Sequence, residues 1–185
     1  MRVFFCFLFS LIFLYSASSQ TIMPAGPENL CPGGIIPLTV LNPPAGVNTY
    51  QWLQGVSPTY TPIAGATAIS YNVTIAGTYS VIITNAGIPD TIGAVLVISR
   101  PNPVAAFTSS PNNQCGNVPI SFTNTSTGTG LSYSWNFGDP NSGANNLSTV
   151  AQPVHRFVGN PGNGTQTFTV TLTVTSVYGC TATTT

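Results

Sequence analysis

The stretch Thr167-Phe168-Thr169-Val170-Thr171-Leu172-Thr173-Val174-Thr175 alternates apolar residues with threonine without a break. Successive side chains of a strand point to opposite faces, so this period of two predicts a strand. Phe168, Val170, Leu172 and Val174 face a core and the threonines face water. Threonine suits the outer face because it is β-branched and polar, favouring extended backbone without carrying charge. The same period appears in Ile69–Thr74 and in Thr78–Thr84. Turn residues punctuate the rest about every 8 to 12 positions, among them Asn42-Pro43-Pro44, Asn85-Ala86-Gly87 and Gly138-Asp139-Pro140. No segment keeps a helical period beyond about two turns. The expected class is all-β.

Threonine carries this burden because charge is nearly missing. Only 3% of the 185 residues are charged, against 43% hydrophobic. The charged set is Arg2, Arg100, Arg156, Glu28, Asp90 and Asp139, with one histidine, His155. A nucleic-acid surface needs a basic stripe to displace counterions, so no nucleic-acid partner is expected. Acid–base catalysis and oxygen-ligand metal sites draw on carboxylates and histidines, which are too few and too scattered here. No catalytic, cofactor-binding or metal residue is therefore assigned. Asp139 and His155 are the one tempting pair. Plainer roles outweigh catalysis: Asp139 as a turn residue capping its own backbone, and His155 as a polar group at a strand edge. Stripes of Tyr, Trp and Phe suggest sugar stacking, but in a sandwich of this size they are read as core.

Residues 1–19 read as a signal peptide. Met1-Arg2 is a short positive start, Val3–Tyr15 is apolar, and Ser16-Ala17-Ser18-Ser19 supplies small residues, giving cleavage between Ser19 and Gln20. The apolar run falls short of the roughly 20 residues that span a bilayer, and no later segment is as apolar, so no membrane span is expected in the mature chain. Removing Cys6 leaves Cys31, Cys115 and Cys180, an odd number for an oxidising compartment. One bridge and one leftover thiol is the simplest arithmetic. The prolines of residues 100–103 read as a linker between two parts, 20–99 and 104–185, each of about 80 residues. Both parts run from a cysteine to Tyr-x-Trp about 20 residues later and then to an aromatic-led strand, which marks a tandem array. The architecture expected is two tandem antiparallel β-sandwiches.

Tyr133-Ser134-Trp135-Asn136-Phe137-Gly138-Asp139-Pro140 is the most specific string in the chain. It resembles the strand and turn of the PKD domain, whose signature is Tyr-x-Trp-x-Phe-Gly-Asp-Gly. The resemblance covers about 103–185 and takes in Ala106-Phe107, Val118–Ser126, Gln152-Pro153-Val154-His155-Arg156-Phe157 and the Thr-Val-Thr-Leu-Thr-Val strand. Pro140 stands where the family usually has Gly, and 141–150 reads as an enlarged loop. The first part, about 21–99, is similar to immunoglobulin-like or PKD-like repeats of exported surface proteins in gliding or polymer-degrading bacteria. It carries Cys31-Pro32-Gly33-Gly34, Tyr50-Gln51-Trp52 and Ala76-Gly77-Thr78-Tyr79. Trp52, Tyr79, Tyr133, Trp135 and Phe137 read as core anchors, Tyr79 with a tyrosine-corner hydrogen bond. The resemblance pairs Cys115 with Cys180 across the second sandwich and leaves Cys31 as a free thiol, because 85–88 lacks the cysteine that ends such repeats.

These readings imply a non-catalytic exported spacer or adhesion module, expected to be the N-terminal part of a larger cell-surface protein, its last strand cut short at 180–185. The partner would be a protein or polysaccharide at the cell surface, with no cofactor. The alternative is a carbohydrate-binding accessory of a secreted hydrolase whose catalytic domain lies elsewhere.

Overall fold

The computed structural model describes residues 19–111, 114–158, 162 and 164–185. Residues 1–18, the body of the expected signal peptide, lie outside the described residues.

In the first half, β1 (Thr21–Met23), β3 (Ile36–Leu41) and β6 (Ser70–Val73) form one sheet in the order β1-β3-β6. The facing sheet runs β2-β8-β7-β4-β5, from β2 (Glu28–Leu30), β4 (Asn48–Gln54), β5 (Thr61–Pro62), β7 (Gly77–Asn85) and β8 (Ile88–Ser99). Pro24 and Pro27 lie in the short crossing between sheets that separates β1 from β2. Having crossed, β2 pairs parallel to β8, the one departure from an antiparallel pattern. The alternation read over Thr78–Thr84 holds: Tyr79, Val81 and Ile83 of β7 are buried around Trp52, and Ile36, Leu38 and Val40 of β3 face them with the same period. Between Tyr79 and Val81 the register slips, because β8 carries one extra residue there. Gly93 absorbs it at φ +80, and the Ile22 side chain from the opposite sheet fills the place where a Cβ would stand.

The second half repeats the plan. One sheet is β13-β10-β9, from β9 (Phe107–Ser110), β10 (Pro119–Asn124) and β13 (Val154–Arg156). The other is β12-β11-β14-β15, from β11 (Ser132–Asn136), β12 (Leu147–Ser148), β14 (Thr171–Thr175) and β15 (Thr181–Thr184). A 3-10 helix over Pro140–Asn146 occupies the enlarged loop. Ile120, Phe122, Trp135, Phe137, Leu172 and Val174 form the core, a cluster that shares no residue with that of the first half. Of the expected anchors, Trp52, Tyr79, Trp135 and Phe137 are buried, and Tyr133 is half-buried against the core. The two tryptophans are held alike. Trp52 Nε1 donates to the Ala68 carbonyl at 2.9 Å and Trp135 Nε1 to the Val150 carbonyl at 2.9 Å, partners 16 and 15 residues downstream.

Two expectations need correction. The strand predicted over 167–175 is paired only over Thr171–Thr175. Its pairing with β11 ends at Asn136↔Thr171, where the chain turns away through Gly138, so the preceding residues have no neighbouring strand on that side. The disulfide is the second. Cys31 bonds Cys180, 149 residues apart with α-carbons at 5.5 Å, and among the described residues Cys115 is the free, exposed thiol. Cys115 precedes β10, whereas Thr127, which follows it, exchanges hydrogen bonds with Val104, and Thr129 accepts from the Val177 N–H. Cys115 and Cys180 therefore sit at opposite ends of a six-residue strand, about 20 Å by strand rise. Cys31 follows Leu30, whose carbonyl accepts the Arg100 N–H, and this brings it to the Cys180 end. In chain-entropy terms a loop of this length is stabilised by about 5 kcal/mol.

The tyrosine corner forms: Tyr79 Oη donates to the Ile75 carbonyl at 2.6 Å. Burial, and secondarily the neighbouring Tyr71, raise its pKa above the ordinary 10.0. The native state thus keeps this proton where the unfolded chain loses it. The contribution is intact below about pH 10 and falls as pH climbs through that value toward the raised native one. Urea midpoints measured from pH 8 to 11 should drop in the alkaline range, and Tyr79→Phe should flatten part of that drop; an identical slope in the variant would refute the assignment.

Candidate functional site

Among the described residues, the densest polar chemistry lies where β11 ends. The Asn136-Phe137-Gly138-Asp139 segment bends sharply, and the Gly138 N–H donates to Asn136 Oδ1 at 2.9 Å. Gly138 has φ +67, and a Cβ there would stand 2.5 Å from the Thr169 carbonyl oxygen, so only glycine passes. Beyond it, the Asp139 N–H donates to Asn146 Oδ1 at 2.6 Å, and the Asp139 carbonyl accepts from the Ser142 N–H and hydroxyl at 3.0 and 2.7 Å. The 3-10 helix is thereby closed at both ends on Asp139.

The Asp139 carboxylate does not cap its own backbone, as the sequence suggested. It crosses the sandwich: Oδ2 accepts from the Val158 N–H at 2.8 Å and lies at hydrogen-bond distance, 3.2 Å, from His155 Nε2. The asparagine two positions before Gly138 caps the turn instead. His155 is on an edge strand as expected, but its ring points inward. It stacks on Phe137 with centroids 4.2 Å apart and planes at 7°, and stands nearly perpendicular to Phe157 with centroids 4.6 Å apart. Side-chain exposure is 3% for His155 and 0% for Asp139. Asp139 Oδ1 is buried too, with no donor among the described residues.

Sequence reasoning thus named a pair that the fold does bring together. What it can do there is structural: a buried ion pair or charge-assisted hydrogen bond ties the turn after β11 to the end of β13. Catalysis needs a reacting group within reach of solvent-borne substrate, and this imidazole is stacked under Phe137 with its side chain 3% exposed. A groove of about 370 Å³ opens beside the turn, lined by Gly138, Asp139, Pro140, Asn141, Gln166, Thr167 and Phe168. A second of about 330 Å³ lies over Phe107, Phe122 and Phe168. No cluster of three metal-ligating side chains occurs among the described residues. No aromatic ring among them is fully exposed either.

Residues 99–185 match the family model described as PKD domain. The second half is of PKD type. The match takes in the turn at Asp139, His155 and the strand of β14. None of the curated proteins compared with the chain matches it. Among solved structures, the chain is similar to three N-terminal domains of the highly immunogenic outer capsid protein Hoc of bacteriophage RB49, at 14% identity and TM-score 0.43, over 90% of this chain and 57% of that one. It is also similar to the N-terminal four Ig domains of Dscam1 isoform 6.9, at 12% identity and TM-score 0.36, over 84% of this chain and 40% of that one. The chain thus spans about half the length of the structures it resembles. The immunoglobulin-like reading of the first half rests on its own sheet order and on the shared tryptophan geometry.

Asp139→Ala strands the Val158 N–H and removes the buried partner of the His155 ring, and is expected to destabilise by about 3 kcal/mol. Asp139→Asn keeps an acceptor for Val158 and should cost less. Equilibrium urea unfolding at pH 7 compares them, and equal losses would mean that the turn does not depend on the carboxylate. Gly138→Ala should cost about 1–3 kcal/mol from strain at positive φ alone, in the same assay.

Proposed function

We propose that the protein is a non-catalytic exported module that spaces or presents an adhesive surface at the outside of the cell. PKD and immunoglobulin-like domains are typically spacer or adhesion modules. The observation that carries the reading here is the sealed state of the His155–Asp139 pair, the one combination in the described residues suited to acid–base work. The Cys31–Cys180 bridge fits an oxidising compartment, where such bonds persist. No helix among the described residues is long and apolar enough to cross a membrane. In this reading the segment before Gln20 is a signal peptide, and the mature form begins at Gln20. Its partner is a protein or polysaccharide of the cell surface, and no nucleic acid is bound.

N-terminal sequencing of the secreted protein should return Gln20 as the first residue; mature material that starts at Met1 contradicts export by this signal. Replacing 20–185 by an unrelated pair of sandwiches of equal length separates the two halves of the proposal. Retained attachment of the cells identifies a spacer, and lost attachment with normal surface display identifies an adhesive surface.

Sugar-binding sites commonly stack pyranose rings on open aromatic faces, and the rings described here are buried or half-buried. The protein is accordingly expected to stay in the supernatant when spun with insoluble cellulose, chitin or xylan. Specific retention on one of them would favour a carbohydrate-binding accessory of a secreted hydrolase over the spacer.

A further inference from the structure

The two cores share no residue, yet the chain between them is pinned almost to its middle. On one side the Arg100 N–H donates to the Leu30 carbonyl at 2.9 Å, extending the pairing of β2 with β8. On the other side Pro103 is buried, and Val104 exchanges hydrogen bonds with Thr127 at 2.8 and 2.9 Å. Only Pro101 and Asn102 are left between the two anchorages. Arg100 also reaches both halves with its side chain. Its Nε donates to Asn29 Oδ1 at 2.8 Å, and its guanidinium lies over the Tyr178 ring, 3.9 Å from the centroid. Next to this contact stands the disulfide, since Cys31 follows Leu30 and Cys180 follows Tyr178-Gly179. The Cys180 sulfur lies 3.9 Å from the Arg100 carbonyl oxygen.

We propose that Arg100, Tyr178 and the Cys31–Cys180 bond form a redox-sensitive joint: oxidised, it holds the two sandwiches as one rigid body; reduced, it lets them pivot about Pro101-Asn102 while each stays folded. The bond is positioned for this and not for holding either core together, because each cysteine lies outside the strands it joins: Cys31 just after β2 and Cys180 just before β15. An arginine over a half-buried tyrosine is a weak contact beside a covalent link, too weak to fix a two-domain orientation by itself. Cys180 is 1% exposed whereas Cys31 is partly open, so attack comes at Cys31. A thiolate of a dithiol reductant bonds to the Cys31 sulfur, the disulfide breaks, and its electron pair leaves on the Cys180 sulfur, which takes up a proton. The second thiol of the reductant then displaces Cys31 as a thiol. The protein has gained two electrons and two protons, and the reductant has become a cyclic disulfide.

The test uses the full mature chain, labelled with nitrogen-15 and weakly aligned, before and after dithiothreitol under native conditions. Cys31→Ser serves as a reductant-free second form. Residual dipolar couplings from the two halves should fit one alignment tensor in the oxidised protein and two different tensors in the reduced protein and in Cys31→Ser. Near-ultraviolet circular dichroism from Trp52 and Trp135 should be unchanged throughout. A single tensor that survives reduction and the Cys31→Ser change would overturn the proposal, since the joint would then be rigid without the bond. Loss of the tryptophan signal on mild reduction overturns it as well, because the bond would then be maintaining a core. Arg100→Ala in the oxidised protein should keep one tensor but be reduced severalfold faster; two tensors with the bond intact would assign the rigidity to Arg100 instead.

Discussion

Each half of the molecule is organised around a tryptophan whose ring is buried and whose N–H cannot be left without an acceptor. A buried indole that lost its partner would cost about 1–3 kcal/mol, so the loop carrying that partner must come to the ring. Ala68 and Val150 supply the carbonyls, and in both halves this fixes how the chain passes from one sheet to the other. The aromatic residues then pack by geometry: Phe107 stands edge-on to Trp135 at 5.1 Å, and Phe122 contacts both Trp135 and Phe137. With three acids and three bases in the whole chain, ion pairs contribute little. Burial and hydrogen bonds to backbone carry the stability.

How much of this was legible from residues alone depended on the range of the interaction. Period-two alternation is local, so β6, β7 and β14 were readable, as were Trp52, Trp135 and Phe137 as inward positions. The overreach at Thr167–Val170 has the same origin. Alternation reports that a segment is extended with one apolar face, and says nothing about whether a neighbour is present to pair with it. The Cys31–Cys180 bond was illegible because it depends on how the two halves are set against each other, which no pattern within either half encodes. Asp139 lay between these cases. Its place in a turn was plain, yet its carboxylate serves Val158, 19 residues on, and the turn is capped by Asn136. An Asn two residues before a Gly is the signal that pointed there.

A surface almost free of charge is unusual for a folded protein, and the strands show how it is managed. Outward positions of β14 and β15 are threonines, and Thr173 and Thr183 are hydrogen-bonded across the pair at 3.2 Å. Such a face has little long-range field, so encounters with partners are not steered by ionic strength. Contacts must instead be made by shape and by short-range hydrogen bonding.

The place of the disulfide also decides how the molecule bears load. Tension entering on one side of Cys31 and leaving on the other side of Cys180 travels through the sulfur atoms and never reaches the 149 residues of separation between them. At roughly 3.4 Å per extended residue, about 500 Å of chain is withheld from stretching. Only β1 and β2 at one end and β15 at the other lie in the path of the force. Apart from Ile22 and Leu30, which lie on β1 and β2, the residues of both hydrophobic cores are mechanically bypassed.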